Sequence, residues 1–185
     1  MKRIKTPFAN EDLNDLKAGD SVLLSGYIYT ARDAAHKRLV ELLREGKPLP
    51  FELEGQTIYY VGPAPARAGQ PIGSAGPTTS YRMDAYTPAL LEKGMKGMIG
   101  KGKRSSDVIE AMKKYGAVYF AAIGGAAALN AKCVKASELI AYEDLGAESI
   151  NRLYVEDLPL VVVIDSMGNN YYEIGKQEYL STIGE

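Results

Sequence analysis

The stretch Ser21-Val-Leu-Leu-Ser-Gly-Tyr-Ile-Tyr29 and the segment after it set the fold class of this 185-residue chain. β-Branched and aromatic residues dominate the stretch, which is typical of a β-strand. Apolar residues then recur at helical spacing between Arg32 and Glu45, and Gly46 provides a stop signal. A strand followed at once by a helix predicts an α/β domain.

The same alternation continues along the chain. Further strands are predicted over 57–61, 97–100, 117–123, 152–155 and 159–165, and further helices over 87–94 and 105–115. Four prolines and four glycines between 62 and 77 predict a long loop. Residues 133–142 fit a strand or a helix, 171–174 a hairpin arm and 176–181 a terminal helix. The length suits one domain, so we predict a single domain over residues 1–185.

Composition excludes several classes of protein. The 22 Lys and Arg residues against 23 Asp and Glu give a net charge of -1, which disfavours general nucleic-acid binding. No window approaches the roughly 20 apolar residues of a membrane span, and no secretory signal is visible. We therefore expect a cytoplasmic protein. One cysteine and one histidine exclude an internal disulfide framework and any thiolate cage or multi-histidine metal site built from this chain alone.

Three cations stand beside small residues. Arg32 lies at a strand-to-helix junction, where α/β sheets bind ligands. Arg82 follows Thr78 by four residues in a segment rich in Gly, Thr and Ser, and Lys101 lies between glycines after a predicted strand. Each feature also has a structural alternative. Arg32 could lie on a solvated helix face, the segment with Thr78 and Arg82 could be a capped helix, and Lys101 could lie in a flexible basic turn. Because arginine grips carboxylates bidentately, a dicarboxylate suits the set, and phosphate fits it equally.

Three further features are predicted to be structural. His36 lies one helical turn past Arg32, and a lone helical histidine is more often structural than a base. Cys133 is predicted to be a small buried hydrophobe. The small-residue segment 124–129 lacks the spacing of a dinucleotide turn, so we interpret it as tight packing or as a helix N-terminus near the ligand.

Five segments carry a resemblance to a known family: Thr30-Ala-Arg-Asp-Ala-Ala-His-Lys-Arg38, Gly76-Pro-Thr-Thr-Ser-Tyr-Arg-Met-Asp84, Tyr86-Thr-Pro, Met98-Ile-Gly-Lys-Gly-Lys-Arg-Ser105 and Ala122-Ile-Gly-Gly-Ala-Ala-Ala128. From about Gly19 to Tyr172 the chain resembles the β subunit of class I iron–sulfur fumarate hydratases and L-tartrate dehydratases. That subunit is equivalent to the C-terminal domain of the single-chain enzymes. The resemblance implies a swivelling β/β/α fold.

The resemblance also implies roles for individual residues. The carboxylate-binding arginines of the family fall on Arg32 and Arg82, its proposed catalytic threonine on Thr78, and its active-site lysine on Lys101. The implied cofactor is a [4Fe–4S] cluster held by three cysteines of an α subunit, with one iron open to the hydroxy acid. This chain, with its single cysteine, supplies no metal ligand in that scheme. The implied assembly is a hetero-oligomer such as α2β2.

The implied reaction is the reversible hydration of fumarate to (S)-malate. Arg32, Arg82 and Lys101 would stabilise charge on the substrate carboxylate, and Thr78 would exchange the carbon-bound proton. A threonine hydroxyl is a very weak acid, so Thr78 acts as a base only if nearby cations lower its pKa, and otherwise positions or relays. The alternatives are L-tartrate or another 2-hydroxy diacid as substrate, and a non-enzymatic anion-binding regulatory module.

Overall fold

The strand–helix unit predicted from residues 21–45 is present in the computed structural model, which describes residues 1–122 and 127–183. The strands are β1 (Lys2–Thr6), β2 (Ser21–Thr30), β3 (Thr57–Tyr59), β4 (Gly97–Gly100), β5 (Val118–Ala122), β6 (Val134–Ala141) and β7 (Ile150–Ile164). The helices are α1 (Asn10–Asn14), α2 (Asp33–Arg44), α3 (Thr87–Glu92), α4 (Ser106–Tyr115), α5 (Ala127–Cys133) and α6 (Tyr171–Ile183). Two 3-10 helices cover Ser80–Met83 and Glu143–Glu148. The expected α/β class is confirmed.

The long strand β7 closes the sheet into a ring. The strands β1 to β5 are parallel neighbours in chain order, and β7 then pairs antiparallel with β5, β6 and β2. The N-terminal half of β7 lies between β6 and β2, and its C-terminal half between β2 and β5. The ring therefore runs β2–β3–β4–β5–β7 and back to β2.

Alternation of side chains along these strands separates two apolar cores. One core fills the ring and includes Leu24, Phe120 and Leu160. The other lies between the outer face of β2–β5 and the helices α2, α3 and α4, and includes Leu39 and Met112. Successive residues of a strand face opposite sides, which is why β5 serves both cores. Two β layers and one helical layer result, as expected from the β/β/α type.

Several predicted elements are confirmed, and their ends have physical causes. The helix α4 begins after Ser105, whose hydroxyl accepts from the N–H of Val108, and ends at Gly116 in the left-handed conformation. The strand at 97–100 has the predicted bounds, and residues 62–77 form neither helix nor strand. Of residues 133–142, which fit a strand or a helix, residues 134–141 form β6.

Two expectations differ from the structure. The hairpin arm predicted at 171–174 is wrong, because α6 begins there and the Asn170 side chain accepts from the N–H of Tyr172. The two strands predicted at 152–155 and 159–165 are one continuous strand. Asp157, at a φ of 48°, donates its N–H to the Ser25 hydroxyl, so β7 bends there instead of ending.

The N-terminal segment, for which we predicted no element, forms β1 and α1. Of the segment 124–129, Gly124, Gly125 and Ala126 lie outside the described residues, and the remainder opens α5. Within residues 1–122 and 127–183, no helix is both long enough and apolar enough to cross a membrane.

Candidate active site

Thr78 and Lys101 are brought together by the ends of two neighbouring parallel strands. The N–H of Thr78 donates to the carbonyl oxygen of Tyr60, the residue directly after β3, at 2.7 Å. Lys101 directly follows β4 and pairs with Thr79 in a parallel bridge. The N–H of Ser80 donates to the Lys101 carbonyl oxygen at 2.9 Å. Thr78 therefore lies half-buried at the carboxyl edge of the sheet, beside the exposed Lys101.

The two predicted arginines meet at a shared carboxylate. Arg32 lies between β2 and α2, and Arg82 lies in the 3-10 helix that follows Thr78. Asp33 Oδ2 is 3.4 Å from Arg82 Nε, and Asp33 Oδ1 is 3.9 Å from Arg32 Nε. Because β2, β3 and β4 are parallel neighbours, all four predicted residues lie at the same edge of the sheet.

Charge at this edge favours an anion. Arg32 Nε also lies 3.7 Å from Glu148 Oε1, and the nitrogen and the nearby carboxylate oxygens of Asp33 and Glu148 are shielded from solvent. The Arg32 side chain is 26% exposed and that of Arg82 is 46% exposed. Two carboxylates therefore stand against three cations, counting Lys101. Parallel α/β sheets bind ligands beyond the carboxyl ends of their strands, which is where this excess of positive charge lies.

Arg104 is a buried residue of this region that the sequence did not single out. Its side chain is fully buried, and its Nε donates to Asp84 Oδ1 at 2.7 Å. Its guanidinium carbon lies 5.2 Å from the centre of the Tyr60 ring and 5.0 Å from that of Tyr119. A second nitrogen donates to the Thr87 hydroxyl at 2.9 Å. A buried, paired cation stacked on two aromatic rings fixes the layer below the site.

The Tyr119 hydroxyl ties the two strand-end segments together. It donates to the carbonyl oxygen of Gly102 at 2.9 Å, which leaves the Ser80 hydroxyl to donate to it at 2.8 Å. Burial raises the pKa of Tyr119, so the hydroxyl keeps its proton. A Cβ on Gly100 would collide with the Ser80 hydroxyl, so glycine is required where these segments meet. The backbone that carries Thr78 and Lys101 is thus fixed from below.

His36 supports the Arg32 backbone and is fully buried. Its Nδ1 donates to the carbonyl oxygen of Arg32 at 2.8 Å, since a carbonyl only accepts. Its ring packs edge-on against Tyr60, with centroids 5.4 Å apart. Burial lowers the pKa of His36 to about 4, although the hydrogen bond to Arg32 opposes that shift. The placement agrees with a structural role.

The residues of this chain do not fit an iron–sulfur cluster. The thiol of its one cysteine, Cys133, is half-buried beside the carbonyl oxygen of Asp157 at the end of α5. Burial raises the pKa of that thiol, which disfavours the thiolate that a metal needs. Across residues 1–122 and 127–183, no three His, Cys, Asp or Glu side chains converge on one point.

A cleft among the described residues lies elsewhere. It has a volume of about 550 Å³ between the loop 64–74 and the segment 128–135. None of the four predicted site residues lines it. The four predicted residues lie instead at the carboxyl edge of β2, β3 and β4.

The model of the family described as "Fumarase C-terminus" matches residues 2–175, which is nearly the whole chain. The chain belongs to the Fumarase C-terminus family. The resemblance expected from the five segments is confirmed by this match.

Relatives of this Fumarase C-terminus chain carry two kinds of name. It is 43% identical over 152 residues to "Fumarate hydratase class I, anaerobic" from Escherichia coli, and equally to "Fumarate hydratase 1, mitochondrial" from Leishmania major. Each match covers 81% of this chain and 28% of the relative, so the chain spans under a third of their length. It is 38% identical over 176 residues to "Putative L(+)-tartrate dehydratase subunit beta" from Methanocaldococcus jannaschii, covering 91% of this chain and 90% of that protein.

Proposed function

We propose that this chain is the β subunit of a hydro-lyase that interconverts fumarate and (S)-malate. The observation that carries the proposal is the gathering of four residues at the carboxyl edge of β2, β3 and β4: Arg32, Thr78, Arg82 and Lys101. Membership of the Fumarase C-terminus family supports it. In this proposal residues 1–185 act as one domain of the enzyme.

The two arginines bind the substrate. A guanidinium offers two parallel N–H donors to one carboxylate, which fixes direction as well as charge. Arg32 and Arg82 flank the Asp33 carboxylate from two sides, so each can take a different carboxylate of a small diacid. Family membership, rather than charge, favours a dicarboxylate over phosphate.

Hydration then needs charge stabilisation and proton transfer. One carbon of the double bond gains a hydroxyl, its neighbour gains a proton, and the π bond is lost. Negative charge builds on the carboxylate next to the protonated carbon, where Lys101 and the arginines stabilise it. Thr78 delivers or removes the proton at that carbon, or positions the group that does so.

We assign the iron–sulfur cluster to a partner α subunit. The poor fit of Cys133 to a cluster supports this assignment, and so does the subunit name of the tartrate dehydratase relative. An α2β2 hetero-oligomer is the simplest symmetric form. No step on this chain requires its own metal.

The test is turnover by the reconstituted complex. The α subunit is mixed with wild-type chain or with Arg82→Ala, and loss of fumarate absorbance is followed. We expect kcat/KM to fall by roughly 10²–10³, the scale of losing one charged contact to a developing anion. Arg67→Ala serves as the control, because Arg67 is exposed on the loop that lines the other cleft. Equal activity of Arg82→Ala and Arg67→Ala complexes would sink the proposal.

L-Tartrate dehydration is the second candidate. It is supported by the relative named as a tartrate dehydratase β subunit, of which the match covers 90%. The same complex is assayed with (S)-malate and with L-tartrate, and the larger kcat/KM identifies the substrate. Binding of fumarate without turnover of any diacid would instead favour the anion-binding regulatory module.

A further inference from the structure

Asp33 stands between the two site arginines. It is the first residue of α2 and directly follows Arg32. Each of its two carboxylate oxygens faces a different guanidinium. Oδ1 is 3.9 Å from Arg32 Nε, and Oδ2 is 3.4 Å from Arg82 Nε. The inner oxygen, Oδ1, is shielded from solvent and makes no hydrogen bond within the described residues. The carboxylate is therefore held in the site by charge.

Both contacts use the same atom of each arginine. A guanidinium has one N–H at Nε and four at its two Nη atoms, so contact through Nε leaves the Nη end for a bidentate grip. Arg32 Nε also lies 3.7 Å from Glu148 Oε1, and the side chain passes close to Gly62, where a Cβ would lie 3.1 Å from Nη1. Arg82 is more exposed, and among the described residues its ion-pair partner is Asp33.

We propose that Asp33 is a positioning residue that sets the spacing and direction of Arg32 and Arg82 for a dicarboxylate. This inference rests on the proposed function of the two arginines. Asp33 contacts no reacting atom in this scheme. It holds two long, flexible side chains in the geometry that one small diacid bridges.

The direction in which KM changes when Asp33 is removed distinguishes a positioning role from a purely electrostatic one. Asp33 is an anion within 4 Å of both cations that bind the anionic substrate. If its charge alone mattered, its removal would raise the local positive potential and lower the KM for a diacid. If it positions the arginines, removal raises KM, because each guanidinium loses its fixed direction.

The experiment compares Asp33→Asn with wild type in the reconstituted complex. We expect the KM for the diacid to rise about tenfold while kcat changes by less than about threefold. Asp107→Asn is the matched control, because Asp107 also lies in the first turn of a helix, α4, and is exposed away from the site. An unchanged or lower KM in Asp33→Asn would overturn the inference.

A second variant covers the case in which Asp33→Asn does not assemble. Asp33→Glu keeps the charge and moves it by one methylene, so a charge-only role predicts an unchanged KM and positioning predicts an intermediate rise. Parallel assays of Arg32→Ala and Arg82→Ala separate the two proposals. If both arginine variants keep wild-type activity, the proposed function is wrong. If the arginine variants lose activity while both Asp33 variants keep the wild-type KM, only the positioning role of Asp33 is wrong.

Discussion

The two faces of β5 show how this chain divides its work. Phe120 points into the ring and belongs to the buried hydrophobic cluster that also holds Leu24 and Leu160. Tyr119, one residue earlier, points to the helical layer, where its hydroxyl meets Ser80 and its ring meets Arg104. Both side chains are fully buried. Apolar burial on the inner face supplies stability, while buried hydrogen bonds on the outer face fix the backbone of the site.

Phe120→Ala is the strongest challenge to this division. Removing a fully buried phenylalanine should cost about 3–5 kcal/mol in the free energy of unfolding, which urea titration measures. Phe120 lies in the inner cluster, on the face of β5 opposite to Tyr119, so the fraction that remains folded should keep wild-type kcat/KM in the complex. A loss of turnover larger than the loss of folded protein would show that the two faces are coupled.

The pH dependence of stability should come from the outer face, through His36. Its pKa in the folded chain is about 4, below its ordinary value of 6.5, so the unfolded chain binds more protons between these values. The stabilisation is therefore complete above pH 6.5, falls as the pH drops, and is lost near pH 4. We expect at most about 3 kcal/mol from this group.

The measurement is the difference in unfolding free energy between wild type and His36→Gln at each pH. Carboxylates titrate in both proteins, so the difference isolates the histidine. Phe120→Ala should keep the wild-type slope. A difference that does not change between pH 7 and pH 4 would contradict the assignment.

Tyr119→Phe should reverse the pattern of Phe120→Ala. It removes one hydroxyl and leaves the Gly102 carbonyl and the Ser80 hydroxyl without that partner, at a cost of about 1–2 kcal/mol. The backbone of Thr78 and Lys101 loses its tie, so kcat/KM should fall roughly tenfold. Tyr27→Phe, at a partly exposed tyrosine, is the control for hydroxyl loss. Unchanged kcat/KM would mean that the tie is unnecessary.

Gly62→Ala should have the smallest effect. A Cβ there would lie 3.1 Å from both the Ala147 carbonyl oxygen and Arg32 Nη1, and 3.2 Å from Arg32 Cδ, so these neighbours must give by a few tenths of an ångström, Arg32 most easily because its side chain is flexible. We expect KM to rise about threefold with little change in stability. Gly175→Ala, which meets nothing within 4 Å, controls for the substitution itself. A KM equal to that of the control would show that Arg32 tolerates the shift.

The sequence predicted the site residues better than it predicted the buried residues that hold them in place. Local motifs and the family resemblance identified four site residues: Arg32, Thr78, Arg82 and Lys101. The structure places them at one sheet edge, and their roles stay predictions. Arg104 was missed because it lies in a run of basic residues that is typical of an exposed turn. Its burial depends on residues from three other segments: Asp84, Thr87 and the tyrosines 60 and 119. No local signal reports such a meeting.

Elements were missed where tertiary pairing decides them. β1 is an edge strand with exposed Lys2, Arg3 and Lys5, so it lacks the apolar alternation that identifies a strand. The sequence Asp157-Leu-Pro159 predicts a break in β7. Pairing with β2 on both sides of that point keeps the strand continuous.

The ring has a consequence for how the chain is made. Ser21 pairs with Val161, 140 residues further along the chain. At roughly 5–20 residues per second, a ribosome needs on the order of ten seconds to make that stretch. During synthesis the inner faces of β2 to β5 stay uncovered until β7 has left the ribosomal exit tunnel. Until β7 emerges, the apolar inner faces stay exposed, which makes the nascent chain prone to aggregation.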